Sequence, residues 1–125
     1  MPKKIIILII GIVIVVIAFF VFKKEQPVVE YTSDGTTIVA FGDSLVEGVG
    51  ATKENGFVNV LSNMIGKPII NMGVSGNTTA QGLNRIEEVI EMDPKIVLVL
   101  LGGNDFLRKV PIEETFANLD AIISG

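Results

Sequence analysis

Three short polar segments carry residue types that can do chemistry at an ester. They read GDSL from Gly42, GVSGNT from Gly73 and GGND from Gly102. A serine hydroxyl exposed at a tight turn can attack a carbonyl carbon. Glycines let a substrate approach the backbone, and backbone N–H groups with an asparagine amide can hold the oxyanion that forms. These residue types suit acyl transfer.

The composition removes several other kinds of catalytic site. The chain has 125 residues, with no Cys and no His. Without Cys it cannot form a disulfide framework, a thiolate metal site or a Cys nucleophile. Without His it lacks the usual general base and the commonest metal ligand. A hydrolase that needs a Ser-His pair is therefore incomplete in these residues.

Each polar segment follows a predicted strand. The short, apolar and β-branched run at 36–41 predicts a buried strand. Residues 68–72 predict a second strand, and the apolar run at 96–101 predicts a third strand that is buried. They lack polar alternation, which is typical of a parallel sheet covered on both faces. Because ligands bind beyond the carboxyl ends of parallel strands, we expect the three polar segments to meet at one edge of the sheet.

Three amphipathic patterns follow the strands and predict helices. Their apolar faces consist of Phe57, Val60, Leu61, Met64 and Ile65, then of Leu83, Ile86, Val89 and Ile90, and then of Phe116, Leu119, Ile122 and Ile123. Gly66 is placed to end the first helix, Thr78 or Thr79 can cap the second, and the third begins near Pro111. The order βαβαβα predicts an α/β fold. Three strands are few for such a fold, so residues 36–125 are expected to be the first part of a domain.

The three segments together resemble the first three conserved blocks of the SGNH hydrolase family, also called GDSL esterases. The blocks read FGDSL, NMGVSGNTT and GGND in this sequence, and the resemblance spans residues 37–106. It is closest to the lysophospholipase/arylesterase-like branch. The resemblance implies a flavodoxin-like three-layer α/β/α sandwich, of which this chain would hold the N-terminal part with the first three strands.

The resemblance also implies roles for individual residues. Ser44 matches the nucleophile, and its own N–H, the Gly73 N–H and the Asn104 side chain match the oxyanion hole. The family takes its acid and base from an Asp-x-x-His block near the end of the domain, which these residues do not contain. No metal or organic cofactor is implied. The implied reaction is hydrolysis of carboxylic esters through an acyl-enzyme, on lysophospholipids, short acyl esters or O-acetylated glycans.

Two other functions stay open at this point. The missing His favours a truncated or degenerate membrane-tethered binding module without catalysis, whereas the intact Ser44, Gly73 and Asn104 favour a working site. The same fold could also transfer the acyl group to an acceptor sugar instead of water. The glycines at 42, 76, 102 and 103 are expected to shape the backbone, and Asp43 is expected to order the turn around Ser44.

The N-terminus predicts a membrane anchor. Residues 5–22 carry no charged or polar side chain, lysine pairs flank them, and as a helix they would span about 27 Å. A cleaved signal peptide usually has a shorter apolar run and a small-x-small cleavage site, which is not found here. The sequence therefore predicts an anchor at 1–24, with the transmembrane helix at about 5–22, and a linker at 25–35. A slight excess of positive charge before the helix favours an extracytoplasmic position for the rest.

The charge distribution argues against one class of partner. All 14 acidic residues follow Lys24, with only 6 of the 10 basic ones. A nucleic-acid-binding face needs a basic surface to neutralise phosphates. We therefore expect no nucleic-acid partner for the acidic part of the chain.

Overall fold

The structure is a computed structural model and describes residues 34–125. The strands in these residues form one parallel sheet. Its strands are β1 (Ile38–Gly42), β2 (Ile69–Gly73) and β3 (Ile96–Leu100), in the spatial order β2-β1-β3. Gly42 at the end of β1 pairs with Gly73 of β2 and with Leu100 of β3. The carboxyl ends of the three strands are therefore level at one edge of the sheet.

Helices follow each strand. They are α1 (Ser44–Glu47), α2 (Phe57–Ile65), α3 (Thr79–Leu83), α4 (Glu87–Ile90), α5 (Gly103–Leu107) and α6 (Ile112–Ser124). The short helices α1 and α5, which the sequence pattern does not predict, begin directly after β1 and β3. They place Ser44 and Asn104 in first turns at the same edge of the sheet.

The core lies on both faces of the central strand β1, which is buried over its whole length as predicted. Alternate residues of a strand face opposite sides of a sheet, so β1 contributes to two clusters. One cluster is Val39, Phe41, Val89 and Ile122, and the other is Ala40, Val46 and Val58. Helices therefore cover both faces of the parallel sheet, which confirms the predicted α/β class.

The third strand differs from the prediction. The pattern at 96–101 predicts a buried strand, but Ile96, Val97 and Leu100 expose 47%, 36% and 44% of their surface. Within residues 34–125, β3 is an edge strand that pairs only with β1, and this leaves its outer side uncovered.

Helix α2 has the predicted ends but not the predicted buried face. It stops at Gly66, whose φ of 64° makes it a left-handed C-cap. Met64, on the predicted apolar face, is 79% exposed, whereas Val58, which lies outside that face, is 1% exposed. Val58 packs against Ala40 and Val46, so the helix is rotated from the orientation that the apolar spacing favours.

The second predicted helix is two helices, α3 and α4. Thr78 caps α3 through a reciprocal pair of contacts with Gln81, as the sequence predicts for one of the two threonines. After α3 the backbone tightens, since Arg85 N–H bonds the carbonyl of Gly82 three residues back. The third predicted helix, α6, follows Pro111 as expected.

The predicted membrane segment, residues 5–22, lies outside the described residues. None of the helices in residues 34–125 has the length and apolar character needed to cross a bilayer. The predicted anchor and most of the predicted linker thus stay predictions.

Candidate active site

Ser44 lies at a tight turn between β1 and α1. Asp43 is the N-cap of α1, and its Oδ1 accepts the Leu45 N–H at 3.0 Å, so Asp43 orders this turn as expected. Within residues 34–125 neither the hydroxyl nor the N–H of the half-buried Ser44 has a hydrogen-bond partner. Both groups are therefore available to a substrate.

Gly42 makes the turn possible. A side chain at this position would overlap the Val46 side chain and the Leu100 carbonyl oxygen. The strand and the helix after it can pack this closely only because residue 42 has no Cβ. Gly42 thus shapes the backbone at the Ser44 turn, as predicted.

Asn104 joins all three polar segments. It lies in the first turn of α5, and its Nδ2 donates to the Asn77 carbonyl oxygen at 2.9 Å and to Asp43 Oδ2 at 3.3 Å. Asp43 follows β1, Asn77 follows β2 and Asn104 follows β3. The structure therefore brings the segments together at one edge of the sheet, as the topology argument predicts.

Gly73 has a packing role in this arrangement. A Cβ at this position would overlap the backbone of Val46 and Glu47 in α1, so the glycine lets β2 and α1 approach. Its N–H donates to Asn71 Oδ1 at 2.9 Å. The predicted oxyanion role of Gly73 is untested, and it requires the Asn71 side chain to release this N–H.

Gly76 is a second candidate donor in the same loop. Its φ is +77°, and its N–H has no acceptor within the described residues. Its carbonyl oxygen accepts a bond from Arg108 Nη2 at 2.9 Å. The sequence pattern assigns Gly76 only to backbone shape. It cannot separate two glycines in one loop, because the difference lies in which N–H is already bonded.

The loop that carries Gly76 is held from α1 as well. Glu47 Oε2 accepts the Ser75 N–H at 2.7 Å and also the Ser75 hydroxyl. Val74 N–H donates to the Gly42 carbonyl oxygen at 3.0 Å. These bonds fix the loop beside the Ser44 turn, although nothing in the sequence pattern marks Glu47 for this role.

Asp105, the residue after Asn104, stabilises the fold by bonding Thr79. It is 1% exposed, and its two carboxylate oxygens accept the Thr79 N–H at 2.9 Å and the Thr79 hydroxyl at 2.5 Å. Asn118 of α6 donates to the same Thr79 hydroxyl oxygen at 3.1 Å. Asp105 thereby ties α5 to α3 and fixes the helix that presents Asn104.

Arg85 is another charged residue at this edge that the sequence pattern does not indicate. Its guanidinium lies over the Phe41 ring, 4.2 Å from the ring centroid. Burial lowers the pKa of Arg85 below its usual value, and the neighbouring Glu88 carboxylate partly opposes this. The side chain stays charged at any pH at which an esterase works, because arginine does not lose its proton there.

No group of three or more His, Cys, Asp or Glu side chains within residues 34–125 is arranged to hold a metal ion. The chemistry available at this edge is that of a hydroxyl, amide donors and a fixed cation.

The comparison with known families identifies the class of protein. Residues 40–125 match the GDSL-like lipase/acylhydrolase family. The chain therefore belongs to this family, which confirms the resemblance that the three sequence blocks carry.

Individual relatives agree with that assignment. An arylesterase of Vibrio mimicus is 32% identical over 93 residues, covering 70% of this chain and 46% of that protein. Esterase TesA of Pseudomonas aeruginosa is 32% identical over 89 residues, covering 66% and 44%. The crystal structure of AlinE4, an SGNH-hydrolase family esterase, has a TM-score of 0.68 at 38% identity, covering 75% of this chain and 54% of that one. The chain spans about half the length of these relatives.

Proposed function

We propose that this chain supplies the nucleophile and the oxyanion-binding side of an ester hydrolase site. The observation that carries the proposal is the set of bonds from Asn104 to Asp43 and Asn77, which gathers three strand ends around Ser44. The Ser44 hydroxyl has no partner within residues 34–125 and stands at the turn where a substrate carbonyl could reach it. Membership of a family whose relatives include named esterases supports the same reaction.

In the proposed reaction, Ser44 Oγ adds to the ester carbonyl carbon and the carbonyl oxygen becomes an oxyanion. Collapse of this intermediate breaks the bond to the alkoxy oxygen, so the alcohol leaves and Ser44 is acylated. Water then adds to the acyl-enzyme in the same way and releases the acid. The chain's part in both steps is to present the hydroxyl and to hold the negative charge.

The Ser44 N–H, the Asn104 amide and one loop amide are the proposed oxyanion donors. The Asn104 bond to Asp43 Oδ2 is 3.3 Å long, beyond the usual range for a strong hydrogen bond, so this donor can move to a substrate oxygen. Of the two loop glycines, Gly76 has an N–H without an acceptor in the described residues, whereas the Gly73 N–H is bonded to Asn71. The bonding favours Gly76, and Gly73 is the alternative.

The proton of Ser44 needs a base. The 125 residues contain no His, and we propose that a His oriented by an Asp, from the Asp-x-x-His block that the resemblance implies, takes this proton. The same His would return the proton to the leaving alcohol. No step requires a metal or an organic cofactor.

The substrate proposed is a carboxylic ester with an apolar acyl group, such as a lysophospholipid or a short acyl ester. Large apolar side chains close in sequence to the three predicted site residues are exposed: Leu45 is 61%, Val74 43% and Phe106 83% exposed. Exposed apolar groups around a polar centre favour an apolar ligand over a sugar. An O-acetylated glycan is the less favoured substrate.

We also propose that the protein is a single-pass membrane protein whose domain lies outside the cytoplasm. The support is the apolar run at residues 5–22 with its flanking lysines. Carbonate extraction of host membranes should leave the protein in the pellet, and external protease should digest the domain in spheroplasts. Recovery in the soluble fraction would contradict the anchor.

The test of the esterase proposal is the replacement of Ser44 by Ala in the full-length protein. Turnover of 4-nitrophenyl esters should fall by roughly 10⁴-fold or more, because the acyl-enzyme cannot form. Ser124→Ala, at the exposed end of α6, is the matched control and should keep the wild-type rate. Equal rates for Ser44→Ala and wild type would remove the nucleophile assignment. Ser44-dependent transfer to an added sugar without acid release would identify an acyltransferase.

A further inference from the structure

We infer that Arg85 is a positioning residue for the proposed esterase reaction, acting on both the nucleophile turn and the Asn104 amide. The inference rests on the proposed function and adds a residue to it. Arg85 lies between α3 and α4, on the sheet face that also holds Phe41, and reaches the carboxyl ends of β1 and β2. It does not bond to Ser44 or Asn104 directly, so any effect on the reaction passes through other residues.

Each of the three nitrogen atoms in the Arg85 guanidinium donates a hydrogen bond to a different oxygen. Nη2 donates to the Gly42 carbonyl oxygen at 2.8 Å, and Nη1 donates to the Met72 carbonyl oxygen at 3.0 Å. Nε donates to Asn77 Oδ1 at 2.8 Å. The planar fork of a guanidinium can satisfy three diverging acceptors at once, whereas an ammonium group is a point charge on a flexible stem.

The first path runs from Arg85 to the nucleophile. The Gly42 carbonyl belongs to the last residue of β1 and lies two residues before Ser44. It accepts from Arg85 and from the Val74 N–H at 3.0 Å. Arg85 therefore fixes the peptide from which the Ser44 turn starts and locks it to the β2 end.

The second path runs from Arg85 to the oxyanion donors. Arg85 holds the Asn77 side chain, and the Asn77 carbonyl oxygen accepts the shorter of the two Asn104 bonds, at 2.9 Å. Asn77 also follows Gly76 directly. A change at Arg85 therefore reaches both the Asn104 amide and the Gly76 amide through one residue.

The groups that surround Arg85 indicate that this side chain does more than fill space between the helices and the sheet. All three acceptors are uncharged oxygens, so a cation has been placed where burial works against its charge. The cation is held by carbonyl dipoles and by the Phe41 ring. What the guanidinium supplies, and an apolar side chain would not, is a fixed geometry between the end of β1, the end of β2 and the Asn77 side chain.

The experiment compares Arg85→Gln and Arg85→Lys with two controls in the full-length protein. Val89→Ala removes buried surface from the core cluster that contains Phe41 without touching a bond of the site, and Lys67→Gln removes an exposed cation beyond α2. We expect kcat for a 4-nitrophenyl ester to fall about tenfold to a hundredfold in Arg85→Gln, with KM nearly unchanged. The reason is that a small displacement of a catalytic group slows the chemical step. Arg85→Lys should recover part of this loss, and Val89→Ala should lose thermal stability but keep kcat.

The outcomes separate a positioning role from a structural one. Arg85→Gln and Val89→Ala are compared in kcat and in melting temperature. If both variants lose a similar amount of melting temperature and have the same kcat, Arg85 has only a structural role and the inference is overturned. If Arg85→Gln does not fold, the comparison of Arg85→Lys with Val89→Ala decides in the same way. If the wild-type protein hydrolyses no ester, the proposed function fails by itself. The Asn104 side-chain amide resonances then decide the inference, because they must move in the Arg85 variant that folds and not in Val89→Ala.

Discussion

Asn104 is held by hydrogen bonds within the fold and also has the geometry that the proposed oxyanion role requires. Its amide nitrogen carries two protons, and both have acceptors in the structure. The bond to Asn77 is short, and the bond to Asp43 is 3.3 Å long. A substrate oxyanion can therefore replace Asp43 as the acceptor while the bond to Asn77 keeps the side chain in place.

Replacing Asn104 by Ala in the full-length protein tests that role. Loss of one oxyanion donor should lower kcat by about 10²–10³-fold, because the lost interaction strengthens only in the transition state. Steady-state kinetics on a 4-nitrophenyl ester measures this. Asn63→Ala, on the exposed side of α2, is the control and should leave kcat unchanged. A rise in KM with constant kcat for Asn104→Ala would show that Asn104 binds substrate but does not hold the oxyanion.

Residue types could be predicted from the sequence, but residue partners could not. GDSL, GVSGNT and GGND point to Ser44, Gly73 and Asn104 because these segments resemble conserved blocks of the SGNH hydrolase family. No pattern shows that the Gly73 N–H is bonded to Asn71 or that Arg85 reaches Gly42. Those bonds join residues through tertiary contacts, which one-dimensional spacing does not encode.

Helix α3 is the element that presents the second polar segment to the site. Thr78, its N-cap, is 8% exposed and directly follows Asn77. Its side chain accepts the Gln81 N–H, while the Gln81 side chain accepts the Thr78 N–H at 3.0 Å. Since a helix of five residues has few internal bonds, its cap contributes a large share of its stability.

Replacing Thr78 by Ala should lower the free energy of unfolding by about 1 kcal/mol, because one N–H of the first turn loses its acceptor. Urea denaturation of the full-length protein followed by circular dichroism measures the change. Thr78→Ser keeps the capping oxygen and should recover most of the loss. If the serine variant is as unstable as the alanine variant, burial of the Thr78 methyl group rather than the cap stabilises α3.

The existence of elements was easier to predict than the faces they bury. The apolar runs predict the strands. Gly66 predicts the end of α2, and Pro111 predicts the start of α6. Val58 of α2 packs against Ala40 and Val46, which belong to other elements, so the spacing within α2 alone does not show which face is buried. The break between α3 and α4 likewise comes from a tight turn at Arg85. The amphipathic pattern continues through this turn and does not predict it.

Within residues 34–125, the sheet order explains why the three polar segments meet. With β1 between β2 and β3, the three polar segments follow adjacent strand ends, and parallel pairing brings them to the same edge. The α/β class and this convergence could be predicted from the βαβαβα order. The base cannot be placed from these residues, because no His is among them and the chain spans about half the length of its relatives.

The most direct test of the account is the mass of the active-site peptide after treatment of the full-length protein with a fluorophosphonate. Such a reagent phosphonylates a serine only where a base and an oxyanion hole activate it. We expect one phosphonyl group per protein, on the peptide that contains Ser44, together with loss of esterase activity. An unlabelled Ser44 peptide in a protein that still hydrolyses esters, or a label on another serine, would contradict it.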